Sequence, residues 1–324
     1  MRIEFTLRAL ADPTRLRIMR LLAAMELAVG ELAQVLGQSQ PRVSRHVKIL
    51  CDAGLAERRK EGSWVFLRSA IGVTRAPPLG AAAARLLAVS EEDDAQFAAR
   101  CAEDRRHLAA IRAAREDSAA QYFARHAAEW DSLRSLHSPD GPVEAALQAA
   151  LGDALGDLLD IGTGTGRIAQ LLSPHSRSVT GLDNSPEMLR LARARLQHLP
   201  ADRLDLVQGD FSGLPFADAS FDTAVFHQVL HYAQAPEAAL AEAARVTRPG
   251  GTIAVVDFAA HDREELRTAH AHARLGFTDE QMLALLAGAG FAAAPPRALP
   301  GKSLTVKIWT ARRHTGPVNA KVRV

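Results

Sequence analysis

The sequence predicts an α/β fold with a doubly wound parallel sheet, preceded by a smaller helical part, and three observations carry that prediction. After Leu158, apolar strand-like runs alternate with helix-like segments, the strands falling near 157–161, 178–182, 204–207, 222–226 and 252–257. Before residue 70 the pattern is helical and closes on two β-like runs around Glu61-Gly62, a hairpin signal. Between the two regions, the stretch "GVTRAPPLG" (72–80) is punctuated by proline and glycine and marks a boundary.

Composition bounds the chemistry. The chain has 324 residues, 48% of them hydrophobic and 23% charged, enough apolar material for sizeable cores. Its net charge of +2 is uneven: residues 1–80 hold 13 Lys/Arg against 7 Asp/Glu, or +6, which leaves −4 for the rest. A basic amino-terminal part suits a polyanion-binding module. Cys51 and Cys101 make neither a disulfide framework nor a CxxC metal pattern. The opening "MRIEFTLRAL" is broken by Arg2, Glu4 and Arg8, and the sequence has no apolar run of about 18 residues. The expectation is a cytoplasmic protein that does not engage a membrane.

From the amino terminus, "TLRALADPTRLRIMRLLAA" (6–24) reads as two helical pieces broken at Asp12-Pro13, with Asp12 capping and Pro13 in the first turn. "GELAQVLG" and "QPRVSRHVKIL" read as two short helices around Gly37-Gln38-Ser39. Leu32, Leu36, Val43, Val47 and Leu50 would form their buried seam, Gly37 would take the left-handed conformation that ends the first helix, and Ser39 would cap the second. Gln40, Arg42, Ser44, Arg45, His46 and Lys48 are left outside, donors and cations of the kind that meet base edges and phosphates. The plain alternative is a solvated helix face. Arg58, Arg59 and Lys60 on the hairpin could lie beside a DNA backbone as a wing.

"ALADPTRLRIMRLL", "VGELAQVLGQSQPRVSRHVKIL" and "AGLAERRKEGSWVFLR" together resemble the ArsR/SmtB winged-helix repressors across roughly residues 7–68. That resemblance implies a winged helix-turn-helix domain, a homodimer, and binding of palindromic double-stranded operator DNA through Ser39, Gln40, Arg42, Ser44, Arg45, His46, Lys48, Arg59 and Lys60. Metal-sensing members carry a cysteine pair just before the reading motif. This chain has Ala28 and Gly30 there, and neither side chain can ligate a soft metal.

Residues 81 to about 130 are rich in Ala, Arg and Glu and read as helical until "HSPDGP" (137–142) breaks the pattern. "LLDIGTGTGRI" (158–168) then reads as strand, tight loop and helix. Its spacing, Gly162-x-Gly164-x-Gly166, is not the GxGxxG of a pyrophosphate loop, and Asp160 would repel a phosphate. A carboxylate there suits a cationic or amino-bearing ligand instead. Asp183 closes the next strand, 21 residues after Gly162, where it could accept both hydroxyls of a ribose. Asp210 follows the third strand and could accept from an adenine amino group, with Phe211 against the ring. Pro249-Gly250-Gly251 reads as a tight turn into "TIAVVDF".

These four features in order, "LLDIGTGTG", "GLDNSPEML", "GDFSGLPFADASFD" and "ARVTRPGGTIAVVDF", resemble the class I S-adenosylmethionine-dependent methyltransferases of the type 11, UbiE-like branch, across roughly 119–312. "YFARHAAEWD" looks like the helix that covers the cofactor there, and "LTVKIWTARR" like the final antiparallel strand. The resemblance implies a Rossmann-like fold with S-adenosylmethionine as methyl donor and S-adenosylhomocysteine as product or effector. It also implies a cofactor site of Asp160, Gly162, Thr163, Gly164, Gly166, Asp183, Asn184, Met188, Asp210, Phe211 and His227. The expected organisation is a DNA-binding domain over 1–79, a helical linker and dimerisation segment over 80–118, a methyltransferase domain over 119–314 and a tail over 315–324.

"FHQVLHY" lacks the Asn/Asp-Pro-Pro-aromatic signature of DNA aminomethyltransferases, and neither cysteine lies where it could hold arsenite. His227, His231 and His270 are the candidate general bases, set against the plainer reading of capping or packing histidines. The pair His270 and His272 carries no metal expectation, since on a helix the two side chains would diverge. Two functions follow for the second half: methyl transfer to a small molecule, or non-catalytic sensing of the sulfur nucleosides to control operator binding.

Overall fold

The computed structural model describes residues 2–24, 27–61, 64–71, 78–126, 140–200, 202–301 and 303–315. They form two compact units, Met1–Asp117 and Ser118–Val324.

In the first unit, helices Arg2–Leu10 and Pro13–Ala24 are separated at Asp12, whose carboxylate accepts the Arg15 N–H at 3.1 Å. Helices Val29–Leu36 and Gln40–Asp52 meet at Gly37, which takes φ 63° and so ends the first of them at no steric cost. Ser39 occupies the N-cap position of the second helix, but its side chain makes no capping hydrogen bond. Its carbonyl accepts the Arg42 and Val43 N–H groups instead, both at 3.1 Å. Leu32, Val43, Val47 and Leu50 are fully buried with Ile18 and Met19, the apolar seam on which the two helices cross.

The hairpin is β2 (Ala56–Glu61) paired antiparallel with β3 (Trp64–Ser69), and β3 also pairs with the two-residue strand β1 (Leu27–Ala28). Beyond it, the region read as helical holds two helices, Pro78–Asp93 and Ala95–His126. The break is at Asp94, whose Oδ1 accepts the N–H groups of Gln96 and Phe97 at 2.9 and 3.0 Å and starts the second helix. Arg17 fixes the helix Pro13–Ala24 to the long one through a two-pronged bond to buried Asp104, at 2.7 and 2.5 Å. Part of "YFARHAAEWD", from residue 127 on, lies outside the described residues, as does the first half of "HSPDGP".

In the second unit, helix Asp140–Leu151 precedes the sheet, so Asp140-Gly141-Pro142, read as part of a break, is its first turn. Five parallel strands follow: β4 (Gly156–Ile161), β5 (Ser176–Asp183), β6 (Leu204–Gln208), β7 (Phe221–His227) and β8 (Thr247–Phe258). Strands β9 (Phe291–Ala293), β10 (Arg297–Pro300) and β11 (Thr305–Arg313) complete the sheet. Its order is β10-β11-β8-β7-β4-β5-β6, with β9 beside β11, and β11 runs antiparallel to β8. The chain order reverses between β4 and β7, where a doubly wound sheet opens a crevice at the carboxyl ends of its strands. Leu158, Leu159 and Ile161 are fully buried, so β4 is covered on both faces.

Pro249-Gly250-Gly251 is not a turn into a strand. It lies inside β8, where the register with β7 shifts and Gly250 takes φ 78°. No helix among the described residues is long and apolar enough to cross a membrane.

Candidate functional site

The glycine loop after β4 is held by the strand beside it. Gly162 and Thr163 both donate their N–H to the Leu182 carbonyl, at 2.8 and 2.9 Å, and Gly164 donates to Asp183 Oδ2 at 2.8 Å. Gly162, Gly164 and Gly166 take φ of 72°, 55° and 79°, a backbone that L side chains rarely adopt. Buried Asp160 accepts the Thr163 hydroxyl at 2.7 Å, so the acid that closes β4 shapes the loop from inside. Arg195 bonds the Thr165 hydroxyl at 2.7 Å and ties the far side of the loop to helix Pro186–Leu196.

Asp183 is the hinge of this arrangement. Its second oxygen accepts the Ser185 N–H at 2.9 Å, so the carboxylate spans the glycine loop and the start of the next helix. Burial pushes its carboxyl pKa up, against backbone N–H bonds from Ser185, Gly164 and Asn184 that pull it down. Each oxygen still has acceptor capacity for a further donor. Asp210 stands apart, exposed, with Oδ1 accepting from the Ser212 N–H and hydroxyl at 2.6 and 2.5 Å.

On the first unit, Gln40, Arg42, Arg45 and Lys48 are exposed on helix Gln40–Asp52, and Ser39 is exposed before it. His46 does not join them. Its ring is turned inward, with Nδ1 3.7 Å from Asp12 Oδ1 and the side chain only 14% exposed. Ser44 is half-buried. The backbone of Arg59 and Lys60 lies in β2 opposite Phe66 and Val65, while their side chains are outside the described ones.

Residues 12–58 match the model of the bacterial regulatory proteins of the arsR family, and residues 159–255 match that of a methyltransferase domain. This chain joins an arsR-family domain to a methyltransferase domain. Its second unit has the class I methyltransferase, Rossmann-like fold. The chain is 37% identical over 150 residues to the malonyl-(acyl-carrier protein) O-methyltransferase of Pectobacterium atrosepticum, covering 46% of this chain and 56% of that one. It is 32% identical over 152 residues to the demethylmenaquinone methyltransferase of Renibacterium salmoninarum, covering 47% and 59%. The chain thus spans little more than half the length of these curated relatives. Among solved structures, the N-methyltransferase NodS of Bradyrhizobium japonicum, in complex with S-adenosyl-L-homocysteine, superposes with a TM-score of 0.51 at 20% identity, over 60% of this chain and 98% of that one.

Of the residues singled out in the methyltransferase domain, Asp160, Gly162, Thr163, Gly164, Gly166 and Asp183 form one hydrogen-bonded loop. Asn184 is exposed just beyond it, with its carbonyl taken by Gln208 Nε2 at 3.1 Å. Met188 is buried in the first turn of the next helix, and Phe211 is half-buried against the core. His227 ends β7, buried, while His270 ends the short helix Glu265–His270 and is half-buried. His270 and His272 are not two residues of one helix: Ala271 turns with φ 57°, and His272 packs back 4.2 Å from the His231 ring.

Three residues of this region escape sequence reading. Asp257 is fully buried at the end of β8 and holds the His231 ring. Gln228 is buried with φ 52°, an uncommon conformation for a residue with a side chain. Val229 lies against Gly162. Asp257 alone had a signal, an acid closing the apolar run "TIAVV" as Asp160 closes "LL".

Proposed function

We propose that the Ser118–Val324 unit binds S-adenosylmethionine and transfers its methyl group to a small molecule, while the amino-terminal unit binds double-stranded operator DNA as a homodimer. The observation that supports methyl-donor binding is the latch from Gly164 N–H to Asp183, with a second strand-end acid, Asp160, under the same loop. The residues fit the group. A half-buried carboxylate with spare acceptor capacity needs donors, and the two ribose hydroxyls supply them. Asp160 and Thr163 would lie toward the amino acid end, Asp183 would hold the ribose, and Asp210 with Phe211 would meet the adenine. A sulfonium is cationic, so two acids that would repel a pyrophosphate favour it. When bound, the group supplies an electrophilic methyl. The chain's residues orient it and exclude water.

For the amino-terminal unit, four exposed side chains on one helix, Gln40, Arg42, Arg45 and Lys48, support major-groove reading. A second reading rests on Ala28 and Gly30, which stand where a thiolate sensor would need ligands. In it the fused domain is the sensor, and S-adenosylmethionine or S-adenosylhomocysteine sets operator affinity. Coupling between the two sites would be reciprocal and worth ~1–3 kcal/mol.

Isothermal titration of the full-length protein with each sulfur nucleoside, with and without operator DNA, tests both readings. Binding of either nucleoside supports the first, and an affinity shifted by DNA supports the second. No heat with either nucleoside overturns both.

A further inference from the structure

Beside the glycine loop, the single helical turn Leu230–Tyr232 carries a buried acid–imidazole pair. Asp257 Oδ1 takes His231 Nδ1 at 2.7 Å and the Phe258 N–H at 2.7 Å, while Oδ2 takes the His231 N–H at 3.1 Å. The two side chains are 0% and 2% exposed. In the tautomer whose Nδ1–H donates to the carboxylate, the lone pair lies on Nε2. That atom is buried and has no hydrogen-bond partner among the described residues. Neither has Gln228 Oε1, three residues earlier.

The turn is not remote from the loop. A Cβ placed on Gly162 would lie 2.4 Å from Val229 Cγ2, so Val229, two residues before His231, packs directly on the loop. The rings of Tyr232, His272 and Phe258 surround His231 at centroid distances of 4.1, 4.2 and 5.2 Å. The Arg274 guanidinium donates to the carbonyls of Ala233 and Gln234 at 3.4 and 3.2 Å. A base oriented by a carboxylate, with a lone pair awaiting a donor and flat rings around it, has a definable complement.

We infer that His231 is the general base for a neutral aromatic hydroxyl acceptor, with Asp257 as its positioning residue. The inference rests on the reading of this unit as one that binds the methyl donor. A carboxylate acceptor is ionised at neutral pH, has no proton to give, and would face the charge of Asp257. A phenol has both the proton and the flat face. In the transfer, the O–H bond breaks and its proton passes to Nε2, and an oxygen pair forms the O–CH3 bond. The pair of the broken S–CH3 bond stays on sulfur as a neutral thioether, and Asp257 remains a carboxylate beside the imidazolium.

The test uses full-length protein saturated with S-adenosylhomocysteine and titrated with 1-naphthol and 1-naphthoate by fluorescence. Methyl transfer from S-adenosylmethionine to each is measured in parallel. The expected result is naphthol bound roughly 10-fold more tightly than naphthoate, and naphthol alone methylated. His231→Gln should remove the preference and lower kcat roughly 100-fold, with S-adenosylhomocysteine affinity unchanged and the melting temperature lowered by loss of the buried bond to Asp257. Free imidazole should restore part of the rate in His231→Gly, which it would not do for a packing residue. Asp257→Asn should lower kcat while naphthol still binds. Naphthoate bound or methylated as well as naphthol, wild-type turnover in His231→Gln, or no naphthol binding by the loaded protein would each overturn the inference. These outcomes leave methyl-donor binding intact. Failure of the wild type to bind S-adenosylhomocysteine would overturn both.

Discussion

Replacing Gly162 by alanine isolates what the glycine loop needs from its backbone. The position has φ 72°, and the left-handed region costs an L residue ~1–2 kcal/mol. The added methyl would also meet Val229, with Cγ2 at 2.4 Å and Cβ and Cγ1 at 3.0 Å. Valine is branched at Cβ and cannot swing its end away as a longer side chain would, so the turn carrying it must move. Overpacking of that kind costs ~1–3 kcal/mol. The combined expectation is ~2–5 kcal/mol of lost stability, a drop in melting temperature of roughly 5–15 °C for a unit of this size. The S-adenosylhomocysteine affinity should fall at least about 10-fold. Calorimetry on the full-length protein reads both quantities. Adding Val229→Ala should return the steric part and leave the conformational part. An unchanged melting temperature and affinity in Gly162→Ala would refute the reasoning.

Arg45→Ala should weaken operator binding by ~1–3 kcal/mol if the side chain meets a base edge, whereas His46→Ala, turned toward Asp12, should have the smaller effect; gel-shift midpoints that rank them the other way would contradict the placement. At the opposite end of β4, hydrogen bonds from Arg177, aided by Ser178 and Arg248, draw the Asp157 carboxyl pKa down to about 2. Because the folded value lies below the ordinary 3.8, this stabilisation is complete above that pH and lost as the pH falls through about 2. Arg177 is largely exposed, so solvent screens much of this stabilisation. Asp157→Asn should therefore lower the melting temperature at pH 7, converge with the wild type in strong acid, and leave S-adenosylhomocysteine affinity unchanged.

The parallel strands β4, β7 and β8 are legible because they carry apolar runs that are buried on both faces, as Leu158 and Leu159 show. Strands β9 and β10 are not, because "FAA" and "RALP" have little strand character and are extended only where β11 offers them partners. Gly250 misleads for a related reason: a proline–glycine pair signals a turn locally, yet the pairing of β8 with β7 absorbs it as a shift in register. At the candidate site, Asp160 and Asp183 are visible because each ends an apolar run beside a glycine. The attachment of His231 to Asp257, 26 residues away, depends on β7 and β8 lying side by side. The inward turn of His46 depends on Asp12, at the break between two earlier helices. Neither can be read from spacing along the chain.

The central claim is that the loop latched by Asp183 holds the methyl donor, and isothermal titration of S-adenosylhomocysteine into wild-type and Asp183→Ala protein tests it most directly. The account predicts saturable binding at one site per chain in the wild type, weakened by ~1–3 kcal/mol in the variant. Burial raises the Asp183 pKa, so binding should also begin to fail at a higher pH than an ordinary aspartate would allow as the solution is acidified. Equal affinities in the two proteins, or no binding in the wild type, would contradict it.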